Sequence, residues 1–321
     1  MKRLLIRPSG ATRSDSCGSK AATLARALEA GLPVPPFVVV SAETYHQHAA
    51  RAGVRATEPA VAATAIRSTA LAFDLGMALT AALRRLGPTV AVRPSVVGED
   101  LSGIPAAGLH EALLGVDTET VDDAVLDCWA SLWSERAVAY REHTGSPHAG
   151  AAMAVIVQRM VEPALGGAAH TADRASGRPD IVVERSLEGA EPGREVFARR
   201  EIVREVADTT PPVDPDDIPR SVAHLALAAE ELLECPVDID WAFADGALWL
   251  LQVQPIAGGV GRTAPARGPA PAPPVEPGGS ETPTDAEDGA LFEPAAQEPG
   301  SGEVTHAPRL LGRLFERLRG R

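Results

Sequence analysis

Residues 237–256 read Val237-Asp-Ile-Asp-Trp-Ala-Phe-Ala-Asp-Gly246-Ala-Leu-Trp-Leu-Leu-Gln-Val-Gln-Pro-Ile256, the alternation of two strands meeting at Asp245-Gly246. Ile239, Trp241 and Phe243 alternate on the first strand, and Trp249, Leu251 and Val253 on the second. All six positions are odd. One shared apolar face therefore requires paired residue numbers with an even sum, which predicts a three-residue loop, Ala244-Asp245-Gly246, with the glycine left-handed. The same register gathers Asp238, Asp240, Gln252 and Gln254 on the opposite face, where one carboxylate and one amide oxygen can share a hard cation.

Upstream, helix and strand patterns alternate, which makes the fold class α/β. The first helix runs from about Lys20 to Ala30, announced by Ser16, Gly18 and Ser19 and stopped by Gly31. Phe37 to Val40 is a β-branched strand and Ala42 to Ala52 a helix. Ala60 to Leu86 is largely helical. Thr89 to Val92 is a buried strand that delivers Arg93 to a loop, and Val121 to His143 is one long helix striped by Val125, Trp129, Leu132, Trp133 and Ala137. Met153 to Val161 and Ile181 to Glu184 are further strands.

Past Ile256 the composition changes. The chain as a whole has 321 residues, 28 prolines and 29 glycines but only 4% aromatics, and between Gly261 and Pro308 about a third of the residues are Pro or Gly. Residues 258–308 are accordingly a disordered, acidic linker. Residues 309–321 carry five arginines and one glutamate, with Leu310, Leu311, Leu314, Phe315 and Leu318 at helical spacing. That is a short basic amphipathic helix, suited to an acidic membrane surface or a partner protein, or else to a solubilising tail that pairs with the linker.

A net charge of −13 argues against general nucleic-acid binding. Cys17, Cys128 and Cys235 are widely spaced, form no CxxC pair and fit a reducing cytoplasm. No window approaches a membrane span, and the N-terminus has too short an apolar stretch for a signal peptide.

Taken singly, Cys17-Gly-Ser-Lys20 at a helix start, Arg93 after a buried strand and Gly98-Glu-Asp100 are weak signals. In order they say more. Gly-Ser-Lys20, Leu32-Pro-Val-Pro-Pro36, Val92-Arg-Pro-Ser95 with Glu99-Asp-Leu101, Ala107-Gly108, Cys128-Trp-Ala-Ser-Leu132 through Arg136, Val157-Gln-Arg-Met-Val161, Thr171-Ala-Asp173, Asp238-Ile-Asp-Trp-Ala242 and Leu251-Gln-Val-Gln-Pro-Ile256 together span nearly all of residues 1–257. This series resembles the ATP-binding N-terminal domain of phosphoenolpyruvate synthase, pyruvate, phosphate dikinase and rifampicin phosphotransferase.

The resemblance implies an ATP-grasp-like, bilobed nucleotide-binding fold over residues 1–257, with lobes at roughly 1–105 and 106–257, binding ATP and Mg²⁺. It implies that Lys20 and Arg93 contact phosphates and that Asp240 and Gln252 lie beside the metal. Gly166, Gly167 and the turn before Thr171 match a hairpin that covers the nucleotide, and Gln158 falls in a nucleotide-binding motif. Arg93 and residue 254 would meet the transferring phosphoryl group.

The sequence also departs from the family pattern. Gln254 stands where the family has arginine, Asp240 where it has glutamate, Pro94 where it has serine and His170-Thr171 where it has Phe-Thr, while Ser186-Leu-Glu-Gly-Ala190 replaces Gly-Leu-Gly-Glu. None of the eight histidines has the setting of the family's phosphate carrier, and His110, His143 and His224 read as helix or loop residues. The expectation is an ATP-dependent phosphotransferase module that stands alone and acts on a carrier histidine, or a phosphoenolpyruvate-site protein, supplied from elsewhere. The alternative is a catalytically degenerate nucleotide-binding, scaffolding or regulatory subunit.

Overall fold

The structure is a computed structural model that describes residues 4–56, 58–98, 109–173, 176–186, 192–206 and 213–256. Glu99-Asp100-Leu101, Ala107-Gly108, the Leu187–Ala190 stretch, the linker 258–308 and the helix 309–321 lie outside them. Among the described residues, no single helix is long and apolar enough to cross a membrane.

Among the described residues, ten strands make two antiparallel five-stranded sheets. The first contains β1 (Leu5–Ile6), β2 (Phe37–Val40), β3 (Val90–Val96), β4 (Leu113–Val116) and β5 (Met153–Arg159), in the order β1-β2-β5-β3-β4. The second contains β6 (Leu165–His170), β7 (Ile181–Ser186), β8 (Gly193–Phe197), β9 (Val237–Ala244) and β10 (Ala247–Pro255), in the order β10-β9-β6-β7-β8. The chain changes sheet between β5 and β6, past residue 159. β5 inserts between β2 and β3 and so completes the first sheet.

The first sheet is apolar on both faces because β5 alternates between two cores. Ala154 and Ile156 enter a core shared with the second sheet, α1 (Ser14–Glu29) and α8 (Ile218–Leu233); Val155 and Val157 enter another with α2 (Ala42–Arg51), α3 (Pro59–Ser68), α4 (Phe73–Leu86) and α5 (Val121–Ser131). A continuous apolar run marks a strand covered on both sides. Trp241 and Ile239 anchor the shared core, Trp129 and Tyr45 the other.

Several sequence expectations are corrected. The first helix runs as expected from just after Gly18 to the Ala30 cap, but a short helical turn from Ser14 precedes it across Gly18, whose φ of 73° and ψ of 163° are not helical. The stretch 60–86 is two helices, α3 and α4, and the stretch 121–143 is also two. There α6 (Glu135–Thr144) restarts after Ser134, whose side chain caps it by accepting from the Ala137 N–H. Arg93 is not in a loop, since β3 continues to Val96 and Arg93 pairs with Ile156 of β5. Pro94 is tolerated within that strand because β4 pairs with β3 only at Val90 and Val92, so Pro94 faces β5 alone.

The 237–255 hairpin turns on two residues, not three. Ala247 pairs with Ala244, and Asp245 and Gly246 both take positive φ, 51° and 74°. Two such residues form the tight turn that matches strand twist. Leu248 and Leu250, rather than Trp249 and Leu251, therefore join Ile239 and Trp241 in the core. Leu251 is then a bulge, one extra residue between Leu250↔Trp241 and Gln252↔Asp240. Beyond it the sums become even, and Gln252 and Gln254 stand directly across from Asp240 and Asp238, as the polar-face expectation required.

Candidate functional site

The site begins where α1 breaks. A Cβ at residue 18 would collide with the carbonyl and hydroxyl oxygens of Ser95, so glycine alone lets the helix start approach β3 this closely. Ser95 Oγ donates to the Cys17 carbonyl (2.7 Å) and accepts from the Ala21 N–H (3.0 Å), satisfying backbone groups on both sides of the break. Lys20 is thereby fixed in the first turn after the break.

Arg93 comes from the first sheet and Asp240 from the second, and their charges act on each other. Burial pushes the Asp240 carboxyl above its usual range; Arg93 counters this most, Asp238 adds to it, and His170 and Lys20 also counter it. Burial likewise lowers the Arg93 pKa, against the pull of Asp240. Arg93 Nε is buried with no hydrogen-bond partner among the described residues. Lys20 and Arg93 thus converge on one carboxylate from two different elements.

The polar face of the second sheet is built in rows. Gln252 (β10), Asp240 (β9), Ala168 (β6), Glu184 (β7) and Arg194 (β8) form one; Gln254, Asp238 and His170 begin the next. His170 Nδ1 lies 2.6 Å from Asp238 Oδ1 and Nε2 lies 3.9 Å from Glu184 Oε2. Burial works against its charge, but these two carboxylates outweigh burial and hold the imidazole pKa at about 9. Gln252 Nε2 reaches Gln254 Oε1 at 3.5 Å.

Gln158, at the end of β5, is enclosed, and its Nε2 donates to the carbonyl of the bulged Leu251 at 3.4 Å. Gly166 shares the polar face with Ala168 and His170, whereas a Cβ on Gly167 would strike the Glu184 carbonyl. Thr171 stands apart from this face. It is fully enclosed, and its hydroxyl accepts from the Val237 N–H at 2.8 Å.

His110 and His170 escaped the sequence reading as site groups. His110 Nδ1 is 2.9 Å from Ser131 Oγ, whose own proton goes to the Cys128 carbonyl, so Nδ1 is the donor and Nε2 the acceptor. Burial first, then the charges of Lys20, Arg141 and Arg136, push its pKa down to about 3. It is a neutral imidazole beside Lys20. No local pattern marks it; for His170, its place in a β6 strand facing Asp238 is the signal, visible only once the register is known.

Among the described residues no group of three or more His, Cys, Asp or Glu is placed to hold a metal. Asp240 and Gln252 offer one carboxylate and one amide oxygen across a strand pair. Mg²⁺ is commonly held by one or two carboxylates with the remaining positions filled by phosphates and water. The half-buried Asp240 carboxyl is raised by desolvation despite Arg93, His170 and Lys20, and a cation there would offset that desolvation.

Three comparisons bear on identity. Residues 14–192 match the family described as pyruvate phosphate dikinase, AMP/ATP-binding domain. Phosphoenolpyruvate synthase of Aeropyrum pernix is 36% identical over 54% of this chain and 24% of its own length; a Streptomyces rifampicin phosphotransferase is 32% identical over 60% and 26%. The prodigiosin synthesizing transferase PigC of Serratia marcescens is 29% identical over 74% and 31%. The chain thus spans about a quarter to a third of the length of these relatives. Solved structures with some likeness include D-alanine–D-alanine ligase from Bacillus anthracis complexed with ATP (TM-score 0.34, 14% identity, 77% of this chain and 55% of that one) and L-amino acid ligase from Bacillus licheniformis (0.35, 13%, 78% and 45%). The family match covers more than half of the residues, and the chain belongs to the pyruvate phosphate dikinase AMP/ATP-binding domain family.

Proposed function

We propose that this chain is an ATP-binding phosphotransfer module with an ATP-grasp-like fold, passing a phosphoryl group to a carrier histidine on another domain or polypeptide. The observation that carries the reading is the convergence of Lys20 and Arg93, from α1 and β3, on Asp240 of β9. Two cations supplied by separate elements suit the several oxygens of a polyphosphate, Arg93 by its planar fork and Lys20 as a mobile point charge. Asp240 and Gln252 would hold Mg²⁺, which, when bound, neutralises phosphate charge. Gly166 keeps the polar face low enough for close approach, and Gln158 ties the first sheet to the Leu251 backbone beside it. Positioning and charge do most of the work in phosphoryl transfer.

A second reading has its own observation. Gln254 puts a neutral amide directly across from Asp238, where a cation would stabilise developing charge, and this favours nucleotide binding without turnover. Calorimetric titration of wild type, Lys20→Ala and Gln254→Arg with Mg-ATP, followed by assay of AMP release, tests both. Absence of ATP binding by wild type overturns the two readings together. Binding without turnover that Gln254→Arg restores selects the second.

A further inference from the structure

The polar face of the second sheet carries a cation that the phosphate contacts above do not use. Asp238 has the neutral amide of Gln254 across from it on β10 and His170 across from it on β6. The 2.6 Å contact from His170 Nδ1 to Asp238 Oδ1 is a short, charge-assisted bond. The 3.9 Å separation of Nε2 from Glu184 Oε2 is that of an ion pair and too long for a hydrogen bond, so the second N–H is left with a donor position. Ala168, which precedes His170 on the same face, presents only a methyl group between Asp240 and Glu184.

We propose that His170 is the third positive group of the phosphate site, a positioning residue that supplies to an anionic polyphosphate the charge residue 254 does not carry. This rests on the nucleotide-binding reading above. Lys20, Arg93 and His170 all act on Asp240, so the imidazolium belongs to the same electrostatic unit as the two proposed phosphate contacts. Glu184 is shared with Arg194 of the neighbouring strand, 3.8 Å away, and does not cancel His170 alone. With His170 charged, three positive groups act on Asp240; without it, only Lys20 and Arg93 remain. The imidazolium is thus one of three positive groups that act on Asp240 within a chain of net charge −13. Its pKa of about 9 keeps it charged at neutral pH.

The test uses the full chain and two probes, Mg-ATP and inorganic tripolyphosphate, titrated calorimetrically. His170→Gln is expected to weaken both about tenfold, the loss of one charge-assisted contact. Gln254→Arg in the same chain is expected to recover most of that loss, because it returns a cation to the other flank of Asp238. Unchanged affinity in His170→Gln, or a loss that Gln254→Arg leaves in place, overturns the proposal. Tripolyphosphate binding that depends on His170 without ATP binding overturns the nucleotide reading and keeps the cation, whereas binding of neither probe by wild type overturns both. If His170→Gln does not fold, the imidazole ¹⁵N shifts of His170 in wild type decide: movement on adding tripolyphosphate supports the role, and unmoved shifts reject it.

Discussion

Gly18 and Ser95 occupy one another's space: the missing side chain of the first admits the backbone and hydroxyl of the second, and that hydroxyl bonds on both sides of the break in α1. Gly18→Ala must displace β3 or the helix start and also strains a positive φ. A loss of about 2–4 kcal/mol in denaturant unfolding is expected. Ser95→Ala leaves the Cys17 carbonyl and the Ala21 N–H without this buried partner and is expected to cost about 1–3 kcal/mol. Both should weaken Mg-ATP binding, since Lys20 is placed by this joint. Full stability in Gly18→Ala would show the contact to be adjustable.

Arg93 and Asp240 form a half-buried charge pair. Arg93→Met removes the largest influence holding the Asp240 pKa down, so Asp240 should protonate at higher pH, and stability should fall by about 1–3 kcal/mol. Arg93→Met combined with Asp240→Leu should be less destabilised than Arg93→Met alone. A double-mutant cycle measured by urea unfolding checks this, and strict additivity would rule out coupling.

Two histidines should shape stability against pH in opposite directions. The folded pKa of His170, about 9, lies above its ordinary 6.5, so its contribution is complete below pH 6.5 and is lost as pH rises through 9. The full effect is about 3 kcal/mol. The folded pKa of His110, about 3, lies below 6.5, so stability is complete above pH 6.5 and is lost as pH falls toward 3. Wild type should therefore be most stable near neutrality, with His170→Phe flattening the alkaline limb and His110→Gln the acid limb. Unfolding free energies measured from pH 4 to 10 provide the check.

Deleting Leu251 should leave the hairpin's faces unchanged, because Leu250↔Trp241 and Gln252↔Asp240 become consecutive pairs once the extra residue is gone. The expected cost is about 2–4 kcal/mol for a buried leucine and for the carbonyl that Gln158 uses. Cross-strand NOEs between residues 240 and 252 should survive. Their disappearance from a folded protein would show that the bulge sets the register.

The fold class and the polar cluster were legible because both depend on period. Alternation in β9 and β10 places Asp238 and Asp240 on one face whatever the turn, and β-branched runs such as Phe37–Val40 have few other uses. The turn is not legible from parity, because the bulge at Leu251 changes the parity from within the strand rather than at the turn. β6, reading Leu-Gly-Gly-Ala-Ala-His, has no β-branched residue to declare it. Its identity comes from lying between β7 and β9, a long-range relationship that carried His170 into the site unnoticed. α8 was legible in principle, with Asp217 as its cap and a proline in its first turn. His110 shows the limit: its neutrality is imposed by burial and by cations distant in sequence.

One helix is riveted at both ends to different partners. The start of α1 is held to β3 by Ser95, while farther along Thr23 Oγ1 donates to the Val253 carbonyl of β10 and Arg26 Nη2 to the Leu232 carbonyl of α8. The two sheets thus share a hinge pin. Both ties, Ala21 to Ser95 and Thr23 to Val253, lie beyond the break at Gly18 and within the turn that carries Lys20. Lys20 is therefore held in register with β3 and β10 at once, by the same turn of helix.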